Sequence, residues 1–164
     1  LISERLIKEV GGEPDRGASF ANGFTYSGHP VACAAALANL DVMEKDQMLE
    51  NAREVGPYLQ QKLRELIDLP MVGDVRGLGL MGCLECVVSK ESRQPLELDY
   101  DVGKRIDSHC QALGLLLRPL INMCVVSPPI IISREQIDQM LGILRVGIER
   151  TMEDLEREGL AQFN

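Results

Sequence analysis

No run of about 18 apolar residues occurs in the 164-residue chain, so it encodes no membrane-spanning helix. Its first residues, Leu1-Ile2-Ser3-Glu4-Arg5, lack the basic start, apolar stretch and cleavage site of a secretory signal. Basic clusters are missing too. Seventeen Lys and Arg stand against 25 Asp and Glu, and the formal net charge of -8 repels nucleic-acid phosphates and anionic lipid heads. Cysteine is present in an odd number, five, which excludes a complete internal disulfide framework and makes a reducing cytoplasm the expected location. Histidine is scarce: Cys83-Leu84-Glu85-Cys86 has the spacing of half a zinc site or of a redox pair, but only His29, His109 and Cys110 could complete it. No metal is therefore expected, since an unpaired cysteine behaves as a small buried hydrophobe. Internal repeats, low-complexity tracts and linkers are absent, and the chain starts without Met, as a fragment would.

What remains is the composition of a globular protein, with 45% hydrophobic and 26% charged residues. A chain of this length buries roughly two thirds of its unfolded surface. His29-Pro30 puts proline at a natural first helical position, and Val31, Ala34, Ala35, Ala38 and Val42 recur at helical spacing up to Met43. So many alanines predict close packing against neighbours. A second helix is expected from about Asp46 to Ile67, where Leu49, Ala52, Val55, Leu59, Leu63 and Leu66 form an apolar stripe, with a kink at Gly56-Pro57.

Val72 to Val88 reads as a hairpin or bent strand broken at Arg76-Gly77 and at Gly79, followed by a charged loop from Ser89 to Pro95. Asp99 to Leu113 reads as a third helix with Val102, Ile106, Cys110 and Leu113 inside and Gly114 ending it. Short strands are expected at Leu115 to Leu117 and Met123 to Val126, with Pro119 and Asn122 in the turn and Pro128-Pro129 halting the ladder afterwards. Ser133 and Gln136 have the spacing of a capping box that opens a long helix. Ile137, Met140, Leu141, Leu144, Ile148, Met152 and Leu155 form its buried face, and Glu153 to Glu158 its solvated end. Helices mixed with short strands, without regular βαβ alternation, predict an α+β domain of a larger α/β protein.

The segment Phe24-Thr25-Tyr26-Ser27-Gly28-His29-Pro30 differs from the rest in placing hydroxyl-bearing residues and glycine directly before a helix start. Unpaired backbone N–H groups, the positive helix end and nearby hydroxyls suit an anion such as a phosphate. A plain helix cap is the competing reading.

Thr25-Tyr26-Ser27-Gly28-His29-Pro30-Val31-Ala32 followed by an alanine-rich helix resembles the segment that class III aminotransferases carry after their cofactor lysine. Val72-Gly73-Asp74-Val75-Arg76-Gly77-Leu78-Gly79-Leu80-Met81 resembles the strand that opens the C-terminal domain of that family. Gly114-Leu115-Leu116-Leu117-Arg118-Pro119 and Ser127-Pro128-Pro129 resemble its later strands, in the same order and spacing.

The resemblance implies the α+β C-terminal domain of a fold type I, pyridoxal-phosphate-dependent transferase together with the end of its α/β large domain. Residues 1–44 would then close the cofactor-binding domain and 45–164 form the small domain. It further implies a homodimer with the active site at the interface. Thr25 would hydrogen-bond the phosphate of the cofactor held by the partner subunit, Phe24 and Tyr26 would border the cofactor and substrate pocket, and Arg118 would bind the substrate carboxylate.

The enzyme so implied moves an amino group between an amine or omega-amino acid and a 2-oxo acid such as pyruvate. By the same resemblance the Schiff-base lysine lies before Leu1, so none of Lys8, Lys45, Lys62, Lys90 and Lys104 is expected to be catalytic and the chain alone is expected to be inactive. Arg76 reads as a turn-fixing or ion-paired residue, His29 as a helix-start residue and His109 as a partly buried packing residue. The alternatives within the family are acetylornithine or 4-aminobutyrate aminotransferases, an aminomutase and a dialkylglycine decarboxylase. Outside it, the alternative is a stand-alone, non-catalytic α+β binding or oligomerisation module.

Overall fold

The computed structural model of the chain describes residues 3–5, 8, 23–91 and 99–163. The chain divides into two compact units, Leu1–Val42 and Met43–Asn164. In the first, a turn over residues 25–28 leads into helix α1 (Pro30–Lys45), whose last residues belong to the second unit. Proline starts α1 because the missing N–H costs nothing there. None of its residues is buried, so the close packing expected of its alanines is not made among the described residues.

The second unit opens with helix α2 (Met48–Glu65), which passes through Gly56-Pro57 unbroken and tightens into a 3-10 turn at Leu66–Asp68. Val55, Leu59, Leu63 and Leu66 of its apolar stripe are buried, whereas Leu49, near the helix start, is exposed. The strands β1 (Val72–Leu78) and β2 (Met81–Cys86) form an antiparallel hairpin. The break expected at Arg76-Gly77 does not occur: Arg76 pairs with Cys83 and Gly77 with Gly82 inside the ladder. The chain reverses at Gly79-Leu80, where Gly79 takes a φ of +57° that other residues adopt only with strain. Gly56 lets α2 approach this turn, because a Cβ there would lie 3.0 Å from the Cα of Gly79.

Helix α3 (Asp99–Ala112) buries Val102, Ile106 and Cys110 as its periodicity predicts. Leu113 falls in the turn made by Gly114, at φ +89°, and stays exposed. The strand expected at Leu115 to Leu117 is instead a connection whose backbone is bound to α3. Leu115 N donates to the Cys110 carbonyl at 2.9 Å, and Leu117 N donates to Asp107 Oδ1 at 3.1 Å. Those bonds leave no ladder for the segment, and strand β3 (Arg118–Leu120) forms three residues later with Pro119 inside it. Proline is tolerated because β3 is an edge strand in the sheet order β1-β2-β4-β3.

Strand β4 (Met123–Val126) pairs with both β2 and β3. The turn between β3 and β4 is Ile121-Asn122, and Asn122 fixes it by exchanging bonds with Cys86. Its Nδ2 donates to the Cys86 carbonyl and its own carbonyl accepts from Cys86 N, both at 2.9 Å.

Helix α4 (Arg134–Arg157) begins with the expected capping box. Gln136 N donates to Ser133 Oγ at 3.2 Å while Ser133 N donates to Gln136 Oε1 at 3.0 Å. Ile137, Leu141, Leu144, Ile148 and Leu155 are buried, with Met140 and Met152 packed beside them. The end read as solvated is partly tied to α3: His109 meets Asp154 at 2.8 Å and Arg105 meets Glu158 at 2.9 Å. Apolar residues of α2, α3 and α4 share one core with Val72, Leu84, Cys86, Cys124 and Val126, which line one face of the sheet. Of the charged loop expected after Ser89, residues 92–95 lie outside the described residues.

Candidate functional site

Phe24, Thr25 and Tyr26 are brought together in the turn before α1. Ser27 holds the turn closed: Phe24 N donates to Ser27 Oγ at 2.8 Å and Ser27 N donates to the Phe24 carbonyl at 2.9 Å. His29 N then donates to the Tyr26 carbonyl at 3.2 Å, and the His29 carbonyl accepts from Cys33 N at 2.9 Å, so His29 acts as a helix-start residue through its backbone. Gly28, at φ +74°, makes the bend between turn and helix. The Thr25 hydroxyl makes no hydrogen bond among the described residues, and the first turn of α1 contains no acid. Phe24 and Tyr26 are 84% and 83% exposed. This donor set fits a phosphate: a hydroxyl without a structural task, and a helix N-terminus not already neutralised by a carboxylate.

Arg118 belongs to the second unit, and the sheet register defines its surroundings. Arg118 pairs with Val125, Val125 with Cys83, and Cys83 with Arg76, so the four side chains form one cross-strand row on the face opposite the core. The next row on that face is Asp74, Glu85, Met123 and Leu120. Three strand spacings put the two arginines about 14 Å apart. Their electrostatic situations differ. Arg76 Nη1 donates to Asp74 and to Glu85, both at 2.6 Å, and its Nη2 lies 3.3 Å from the Met123 sulfur. Those hydrogen bonds raise its pKa, and two carboxylates leave it no spare positive charge. It is the ion-paired residue that the sequence implies.

Arg118 has no acidic partner among the described residues and lines a cavity of about 810 Å³. Leu116, Val125, Pro128, Ile131 and Met140 supply apolar walls, and Gln139 adds an amide. A guanidinium without a carboxylate, set against apolar walls, is arranged to accept one from a ligand.

The other candidates have structural tasks. Cys83 and Cys86 lie three residues apart on β2, which turns their side chains to opposite faces of the sheet and prevents them from acting as a pair. No group of three metal-ligating side chains occurs among the described residues. Burial pushes the Cys110 thiol up to about 11, and it raises Cys124 and Cys83 as well, so these thiols are protonated at neutral pH and poor nucleophiles. His109 is partly buried and bonded to Asp154. Lys62 pairs with Glu65 at 3.1 Å, and Lys90 Nζ donates to the Ile67 carbonyl.

Sequence reading did not single out Val125, Gln139 or Ile131 as neighbours of Arg118. Val125 could have been found from strand alternation had the register been known, but the contribution of α4 carries no local signal.

The family model for aminotransferase class-III matches residues 7–148, and the chain belongs to that family. It is 38% identical over 138 residues to the putrescine–pyruvate aminotransferase of Pseudomonas aeruginosa, covering 84% of this chain and 30% of that protein. A solved transaminase with L-ala superposes with a TM-score of 0.85 at 37% identity, over 94% of this chain and 37% of that one. A PLP-bound mutant aminotransferase from Vibrio fluvialis superposes with a TM-score of 0.77 at 36% identity, over 83% of this chain and 30% of that one. The chain spans about a third of the length of the relatives it matches.

Proposed function

We propose that this chain forms the carboxylate-binding side and part of the cofactor-phosphate cradle of a pyridoxal-phosphate-dependent aminotransferase that moves an amino group between an amine or omega-amino acid and a 2-oxo acid such as pyruvate. The observation that carries this reading is Arg118, the uncommitted arginine of the open sheet face, beside an apolar cavity. Bound pyridoxal phosphate would supply a carbonyl and an electron sink for amino-group transfer. Arg118, exposed in this chain, would bind the substrate carboxylate through two parallel N–H donors and so orient the acid against the apolar walls. Thr25 would donate its hydroxyl to the phosphate of the cofactor held by the partner subunit, with Phe24 bordering the cofactor and Tyr26 the substrate.

As the family resemblance implies, the cofactor lysine would come from sequence outside residues 1–164. On this reading the chain alone is inactive and its first unit closes the cofactor domain. The enzyme is a cytoplasmic homodimer with its site at the subunit interface. The exposed α1 and the turn before it are consistent with a surface that another polypeptide segment covers.

The test is Arg118→Ala in the whole enzyme. Loss of a bidentate, charge-assisted contact is expected to lower kcat/KM for pyruvate about tenfold or more. The single-turnover reaction of a neutral amine, which has no carboxylate, should change much less. Equal losses for both substrates would indicate a packing defect, and no loss for either would remove Arg118 from the site; both count against this reading.

A further inference from the structure

The cavity beside Arg118 has a wall, residues 127–132, that contains no helix or strand and contributes Pro128, Pro129, Ile131 and Ile132 to the lining. Its own backbone closes one turn, Ile132 N donating to the Pro129 carbonyl at 3.0 Å, but the Ile130 and Ile132 carbonyls take their hydrogen bonds from another element. The holding residue comes from 79 positions earlier in the chain. Asn51, near the start of α2, points its amide at the wall, and Nδ2 donates to the Ile130 carbonyl at 2.7 Å and to the Ile132 carbonyl at 3.2 Å. One amide nitrogen thus ties two carbonyls two residues apart, flanking Ile131, whose exposed side chain lines the cavity.

The same side of α2 grips the start of α4. Glu54 meets Arg134 at 3.3 Å, the Arg134 guanidinium lies 5.3 Å from the centre of the Tyr58 ring, and Tyr58 donates to Asp138 at 2.7 Å. Asn51, Glu54 and Tyr58 follow one another at helical spacing, so they form one brace along α2. Of the three, only Asn51 acts on the backbone of the cavity wall, and its bonds are partly shielded from water.

We propose that Asn51 is a positioning residue for the carboxylate pocket: it fixes the wall that confines the acid held by Arg118, without touching the substrate itself. This inference rests on the carboxylate-binding role of Arg118. Loosening the wall leaves the guanidinium in place but widens the range of orientations the acid can take. The cost should therefore fall on acid binding and should spare an amine that carries no carboxylate.

The test uses the whole enzyme with its cofactor. Asn51→Asp conserves shape but removes both donors and sets a carboxylate against two carbonyls; Asn51→Ala removes the side chain. Both variants are expected to raise KM for pyruvate about fivefold with kcat within about twofold, and to leave the single-turnover rate of a neutral amine unchanged. Asn51 should matter less once Arg118 is gone, so the Asn51→Ala, Arg118→Ala double variant should lose less than the product of the two single losses. A uniform loss with all substrates, or full additivity with Arg118→Ala, would show Asn51 to be a fold-stabilising residue only and would overturn the proposal. If Arg118→Ala itself spares pyruvate, it is the carboxylate-site reading that fails. If Arg118→Ala impairs pyruvate and both Asn51 variants leave its KM unchanged, the positioning role alone fails.

Discussion

Helices α1 and α4 are both rich in apolar residues, yet one buries none of them and the other buries a full stripe. In α4 the apolar residues recur on one side, and that side closes the core against α2, α3 and the sheet. In α1 they are spread around the helix, and Val31, Leu37, Leu40 and Val42 are all exposed. A helix apolar on every side is built to be surrounded. The contrast lies in the core: the second unit holds its own, whereas α1 buries none of its residues among the described residues. The candidate residues differ in the same way, each within its own unit: Arg118 stands on a packed sheet and Thr25 in an exposed turn.

Core substitutions break the comparison most directly. Replacing fully buried Leu144 in α4 by Ala is expected to cost about 2 to 5 kcal/mol, read from urea unfolding of the chain. Leu40→Ala in α1, at a position 54% exposed, is expected to change stability by less than about 0.5 kcal/mol in the same chain. Similar losses at both positions would mean that α1 is packed within the chain after all. A smaller effect is expected at the start of α4, where Ser133→Ala removes one arm of the capping box and should cost about 1 kcal/mol. Gln136→Ala, which removes the other arm, should weaken the same helix end, and the two losses should not be additive.

The smallest effect concerns pH. The hydrogen bond from His109 holds the Asp154 carboxyl below its usual range. A depressed carboxyl contributes stability above its unfolded value, and that contribution is lost as pH falls through the lowered value. Thermal melts taken downward from about pH 5 should therefore show a steeper acid loss in the parent chain than in His109→Ala. Parallel curves would mean that the pair is too solvated to matter.

Elements with a local cause were legible in the sequence. Pro30 set the start of α1, Gly114 the end of α3, and Ser133 with Gln136 the start of α4, because each acts through the backbone of its own neighbourhood. Stripes at helical spacing gave the buried faces of α2, α3 and α4 for the same reason, apart from Leu49 and Leu113 at the helix ends. Family membership was also legible, since ordered motifs survive without any knowledge of contacts.

Only the tertiary structure decided where β3 begins, because Asp107 and Cys110 of α3 capture the backbone of Leu115 and Leu117 and so move the ladder onward to Arg118. It also supplied the partners that separate the two arginines, which the sequence distinguished only by context and resemblance. Arg76 and Arg118 look alike as strand residues, and the difference lies in Asp74 and Glu85, which the hairpin register brings to Arg76 and to which Arg118 has no counterpart among the described residues. A local sequence determines what its backbone prefers, but the charge felt by a side chain depends on groups that folding brings near it from other strands.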